Sequence, residues 1–252
     1  MIRLCLLAVL FSLVAAAAPA LADDPVSLVD PIVGTSGNSI DGPSDTFPGA
    51  DAPFGMVQWS PDTPSQPAGG GYLYNDGQIT GFTLTHLSGP GCSVFGDIGI
   101  LPTTGPIADP AAVKQPFTHV TEEASPGYYA ILLGQPAIQA RLAVTTRTGL
   151  ASFTYPATTA ANILVNAASD QAGVSGTSVR IVSSQEIVGS ATSGWFCGMP
   201  GSYTVYFALR FNRPFLTQGT WLGDAVSAAP QSSGNRTGAW VTFDTTNEAT
   251  VK

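Results

Sequence analysis

Alternation of apolar and polar side chains is the dominant pattern along this chain. In "IQARLAVTT", Ile138, Ala140, Leu142 and Val144 share one face, while Gln139, Arg141 and Thr145 share the other. That period of two marks a half-buried strand. "SYTVYFALRF" repeats it with Tyr203, Val205, Phe207, Leu209 and Phe211. "GYYAILL", "ANILVNAA", "VRIVSS" and "AWVTFD" are further short strand candidates, separated by Gly, Pro, Asn and Asp clusters. No convincing amphipathic helix follows the N-terminal segment. Many short strands at near-regular spacing predict an all-β fold, an antiparallel β-sandwich with long loops. The loops concentrate between residue 23 and about residue 110, which is irregular and rich in Gly, Pro and Asp. Long loops on a rigid sheet scaffold are where binding function tends to sit.

Composition supports this picture. Of 252 residues, 44% are hydrophobic and only 10% charged, with 28 Gly and 20 Pro. Apolar content is ample for a core, and the turn residues fit a β-architecture with an uncharged polar surface. The N-terminus reads as a signal peptide over residues 1–22. "MIR" is a basic start, "LCLLAVLFSLVAAAA" an apolar run too short for a convincing span, and "ALA" a cleavage site. Cys5 follows no lipobox. The expected mature chain, residues 23–252, is therefore secreted or periplasmic. Cleavage removes Arg3 from the 9 basic side chains and leaves all 17 acidic ones, so the net charge moves from −8 to about −9. That argues against nucleic acid or an anionic membrane as partner. Cys92 and Cys197 remain. In an exported protein a disulfide is the natural first reading, but spacing alone does not show that they meet.

Several chemistries find no motif: no G-x-S-x-G, P-loop, G-x-G-x-x-G, H-E-x-x-H or C-x-x-C is present. His86 and Ser88 stand two apart in a loop, a spacing that does not define a catalytic pair. Carboxylates remain. Glycoside hydrolysis commonly uses two carboxyl groups, and Asp45, Asp51, Asp62, Asp76 and Asp97 lie in the loop-rich half. Aspartate is also the ordinary turn residue. His119 with Glu122 and Glu123 reads as a solvated loop before the Pro126–Gly127 turn, with a cation site as the other reading. Trp59, Tyr72 and Tyr74 are either sugar-stacking platforms or core.

Taken together and in order, "VDPIVGTSG", "DTFPGADAPFGMVQWSPDT", "GYLYNDGQITGFTLTHLSGPGCSVFGDIGILP", "EEASPGYYAILL", "ANILVNAAS" and "YTVYFALRFNRPF" resemble the N-terminal domain of glycoside hydrolase family 92 across residues 28–252. The resemblance implies a secreted or periplasmic, calcium-dependent, inverting exo-α-mannosidase, of the kind that processes N-glycans. It implies an N-terminal β-sandwich, a large helical domain after it, and an active site between the two. The catalytic acid, the catalytic base and most calcium ligands would belong to the helical domain, leaving no metal ligand to assign here. Two loops are expected to face that domain and α-mannoside glycans. One carries His86, Ser88, Gly89, Gly91, Cys92 and Asp97; the other carries Asp45, Thr46 and Phe47. Glycines there allow close backbone approach to a ligand or a partner surface. The chain departs from the family pattern before "GYLY". Gln66 and Gly69 stand near the places of a tryptophan and a cysteine common in α-1,2-specific members, and Leu73 replaces a histidine. "GCSVFGD" replaces a "GCGDYGD"-like segment. These changes bear on linkage specificity.

The last residues, "TTNEATVK", enter a strand pattern at Val251, so the domain is expected to be incomplete and the helical domain to lie outside this chain. The isolated chain is then expected to be inactive. Two other classes stay open: a stand-alone carbohydrate-binding module and an adhesive exported β-domain.

Overall fold

Nineteen short strands, all paired antiparallel, account for the regular structure of the described residues, 24–37 and 45–252. The signal-peptide reading of residues 1–22 falls outside them. The fold is described by a computed structural model. Among the described residues the only helical pieces are three short 3₁₀ turns, Pro25–Leu28, His119–Thr121 and Phe196–Gly198.

The largest sheet has eight strands. Its spatial order is Ala50–Asp51, Gln58–Asp62, Gly81–Thr83, Gly99–Thr104, Ala161–Asn166, Thr237–Phe243, Thr217–Leu222 and Ala225–Ser227. A five-stranded sheet formed by Thr250–Val251, Gly149–Thr154, Ile138–Val144, Tyr128–Leu133 and Glu123–Ser125 packs on its first half. A four-stranded sheet of Ser202–Arg210, Glu186–Gly194, Val174–Ser183 and Gln231–Gly234 meets its second half. One continuous apolar core runs through all three, from Ile131 and Leu142 through Phe82, Ile163 and Val241 to Val179 and Ile187. Each such side chain taken from water contributes about 1.5–3 kcal/mol.

The alternating segments form strands for the expected reason. In Ile138–Val144 the apolar set is buried at Ile138, Ala140 and Leu142, and Arg141 is exposed. In Ser202–Arg210 every second residue is half-buried and the intervening ones are exposed. The loop-rich reading of residues 23–110 needs correction. That region supplies four strands of the eight-stranded sheet, and Gly99–Thr104 sits near its centre. Gly99–Thr104 is buried on both faces at five of its positions, so it lacks the alternation that advertises a strand.

Trp59 and Tyr72 are core residues, buried at 4% and 0% exposure, while Tyr74 stacks on His119 with ring centroids 3.8 Å apart. The solvated-loop reading of the His119–Glu122 segment is also corrected. The Glu122 side chain is buried, and its carboxylate accepts from Tyr72 Oη at 2.9 Å and Tyr129 Oη at 2.6 Å, with His119 Nδ1 at 2.7 Å. Tyr129 on the neighbouring strand brings the partner that local sequence hides. Burial, reinforced by this carboxylate, raises both phenols well above their ordinary range.

Candidate functional site

Three segments distant in sequence converge beside the first strands of the eight-stranded sheet. Gly89 N–H donates to the Asp45 carbonyl at 2.9 Å, Leu87 N–H to the Gly69 carbonyl at 3.1 Å, and Phe47 packs on His86 with centroids 5.0 Å apart. The glycines between them explain the closeness. A Cβ on Gly70 would stand 2.6 Å from the Thr46 carbonyl oxygen, and one on Gly71 1.9 Å from Asp62 Oδ1. Gly71 also has φ +72°, a left-handed conformation that disfavours any side chain. "GGGY" is therefore a thread packed between the two loops that the resemblance selects.

The polar residues divide into an outer rim and an inner layer. Ser88, Gly89 and Gly91 are exposed, Cys92 is half-buried, and Asp45, Thr46 and Phe47 are half-buried beside them. His86 and Asp97 lie beneath, at 1% and 0% exposure. His86 Nδ1 donates to the Gln58 carbonyl at 2.8 Å, and Nε2 lies 3.0 Å from Asp62 Oδ1 and 3.1 Å from Thr83 Oγ1. Asp97 Oδ2 accepts from Thr85 Oγ1 at 2.8 Å and Tyr203 Oη at 3.0 Å; the same phenol lies 2.7 Å from Asp170 Oδ2. Burial, with the Asp170 carboxyl alongside, raises the Asp97 carboxyl to about 6, and burial also raises that of Asp170.

These inner residues back a polar cleft of about 390 Å³ lined by Asp62, Thr83, Lys114, Asn166, Ser169 and Asp170. His86 and Asp97 are not among the lining residues; they hold Asp62 and Asp170, which are. Sequence reasoning counted Asp62 only among several turn candidates and missed Asp170, Tyr203 and Lys114. Nothing local to Tyr203 announces its bonds to Asp170, 33 positions away, and to Asp97, 106 positions away.

The two cysteines do meet: Cys92 and Cys197 form a disulfide across 105 residues, with Cα atoms 5.2 Å apart. It ties the His86–Asp97 loop to the turn at Trp195–Gly198, where Trp195 and Cys197 both adopt positive φ. Trp195, Phe196 and Met199 stand exposed on that turn.

The family follows from a match to the Glycosyl hydrolase family 92 N-terminal domain over residues 28–252. This chain belongs to glycosyl hydrolase family 92. Solved structures agree. The family α-mannosidase BT3965 from Bacteroides thetaiotaomicron superposes with a TM-score of 0.81 at 29% identity, over 92% of this chain and 33% of that one. BT3965 in complex with mannoimidazole gives 0.78 at 28% identity, over 90% and 31%. The inverting mannosidase BT2199 of the same organism gives 0.76 at 26% identity, over 90% and 30%. No curated protein matches. The chain thus spans about a third of the length of the mannosidases it resembles.

The residues present can be set against the calcium that the sequence resemblance implies. Asp45 Oδ1 and Asp97 Oδ1 are buried without a hydrogen-bond partner among the described residues. No three His, Cys, Asp or Glu side chains there gather into a set fit to hold a metal ion. The described residues do not make a cage for it.

Proposed function

We propose that this chain is the N-terminal β-sandwich of a secreted, calcium-dependent, inverting exo-α-mannosidase. The loop cluster around Asp45–Phe47, Gly69–Gly71 and His86–Asp97 forms one wall of its α-mannoside site. A helical domain in the rest of the longer polypeptide supplies the opposite wall, the acid and base carboxylates and the calcium ligands. The convergence of these three loops on one another, with His86 bonded to Asp62 of the neighbouring polar cleft, carries the reading. Membership in a family with α-mannosidase neighbours, one of them holding mannoimidazole, supports it.

In this arrangement Ser88, Gly89 and Gly91 approach the sugar from the rim, where the absence of bulky side chains admits a ring and leaves backbone groups in reach. His86, Asp97 and Tyr203 act behind them as positioning residues. By bonding to Asp62 and Asp170 they fix the carboxyl groups that face the cleft, so that hydroxyl recognition needs little reorganisation on binding. The disulfide holds the rim loop in register with the Trp195 turn.

The experiment is mannose release from α-mannobioses in calcium buffer. The 252-residue chain should release none, whereas the polypeptide extended through the helical domain should release mannose with inversion. Release by the 252-residue chain itself would contradict the placement of the catalytic carboxylates.

A further inference from the structure

The outer face of the four-stranded sheet carries a second candidate site. Strand register sets Ser233, Ser178, Ser190 and Tyr206 side by side in one row across all four strands. The adjacent row places Gln231 beside Arg180 and Arg180 beside Val188. The first row crosses three inter-strand spacings, roughly 14 Å. Along it runs a groove of about 760 Å³, within the roughly 300–1,000 Å³ typical of small-ligand sites.

The lining has a consistent chemistry. Tyr206 is 81% exposed on the edge strand, although a surface aromatic of that size gains little from folding. Beside it the floor carries hydroxyls, with Ser178 and Ser190 bridging Oγ to Oγ at 2.9 Å and Ser233 beyond, among the apolar side chains of Val188 and Leu222. Arg180 is exposed and enters no ion pair among the described residues. Gln231 adds an exposed amide. No carboxylate lines the groove.

We propose that this groove binds a neutral oligosaccharide. A pyranose ring has an apolar C–H face suited to an open tyrosine. Its vicinal hydroxyls suit the planar donor fork of Arg180, the amide of Gln231 and the serine hydroxyls. An acidic ligand would meet a single cation on a chain of net charge −8. A protein interface core would call for more open aromatic anchors than Tyr206, since the other lining aromatic, Phe207, is half-buried against the core. Alternation along Ser202–Arg210 turns Tyr206 to the face opposite Tyr203, which bonds to Asp97 and Asp170. The groove therefore stands apart from the loop cluster, and the proposal does not depend on the function assigned to those loops.

The test is an amide-resolved NMR titration of the isotope-labelled 252-residue chain with mannotriose and cellotriose, and with a hyaluronan tetrasaccharide as the acidic probe. Saturable shifts are expected with at least one neutral sugar on strands Val174–Ser183, Glu186–Gly194 and Ser202–Arg210. Tyr206→Ala and Arg180→Gln, both truncating exposed side chains, should each weaken binding by about tenfold or more. Ser88→Trp on the rim loop should leave it unchanged. The proposal is overturned if neither neutral sugar saturates at millimolar concentration, if the acidic probe binds more tightly, or if Tyr206→Ala binds as the parent does. Shifts that centre on the rim loop and vanish in Ser88→Trp overturn it too, while supporting the loop site.

Discussion

At the scale of single residues, the buried carboxyl pair is where the site departs most from what stability alone favours. Asp97 and Asp170 share the Tyr203 hydroxyl in a sheltered position, and both carboxyls are raised above their ordinary value. A group whose folded-state value is raised stabilises the fold while it is protonated. Its contribution is complete below the unfolded value near 4 and is lost as pH rises through about 6. The fold should therefore lose stability between those limits. Asp97→Asn keeps an oxygen for Thr85 and Tyr203 but cannot ionise. It should be more stable than the parent at pH 8, by up to about 2–3 kcal/mol, and its stability should vary less with pH. Denaturant melts at pH 4.5 and 8 measure this; an Asp97→Asn chain with the parent's pH dependence would remove the pair as the cause. Such a costly arrangement beside a cleft fits a positioning role. None of it is readable from sequence, because Asp97, Asp170 and Tyr203 become neighbours only through sheet pairing.

At the scale of elements, legibility followed periodicity. Ile138–Val144 and Ser202–Arg210 each have one face on the core and one outside, so their alternation named them directly. Gly99–Thr104 and Gln58–Asp62 are covered on both sides, and "GILPTT" and "QWSPD" carry prolines and no alternation. They read as loop for that reason. The rim loop was picked out by its glycines and the family resemblance, whereas its tether was not, since spacing says nothing about whether two cysteines meet. The Cys92–Cys197 disulfide should matter at this scale. Closing a loop of 105 residues restricts the unfolded chain, and its loss should cost about 2–5 kcal/mol. In a double Cys→Ser variant, hydrogen exchange should accelerate first at residues 87–93 and 195–199, ahead of the sheet cores. Uniform acceleration would mean that the tether supports the whole fold rather than the rim.

At the scale of the whole molecule, the sandwich brings the three loops together and leaves a groove on the outer face of its four-stranded sheet. It covers about a third of each mannosidase it resembles. The exposed Trp195, Phe196 and Met199 beside the rim loop form an apolar patch of the kind that marks an interaction surface. The central claim is that the rim loop forms a wall of the α-mannoside site. Its most direct test is the Ser88→Trp substitution in the extended, active polypeptide. Ser88 is exposed on the loop, so the added indole fills the site without entering the core. A fall in kcat/KM for α-mannobiose of at least about tenfold, or 1.4 kcal/mol, is expected, with an unchanged melting temperature. Full activity with Trp at position 88, or a loss of activity that merely tracks loss of the folded assembly, would contradict the claim.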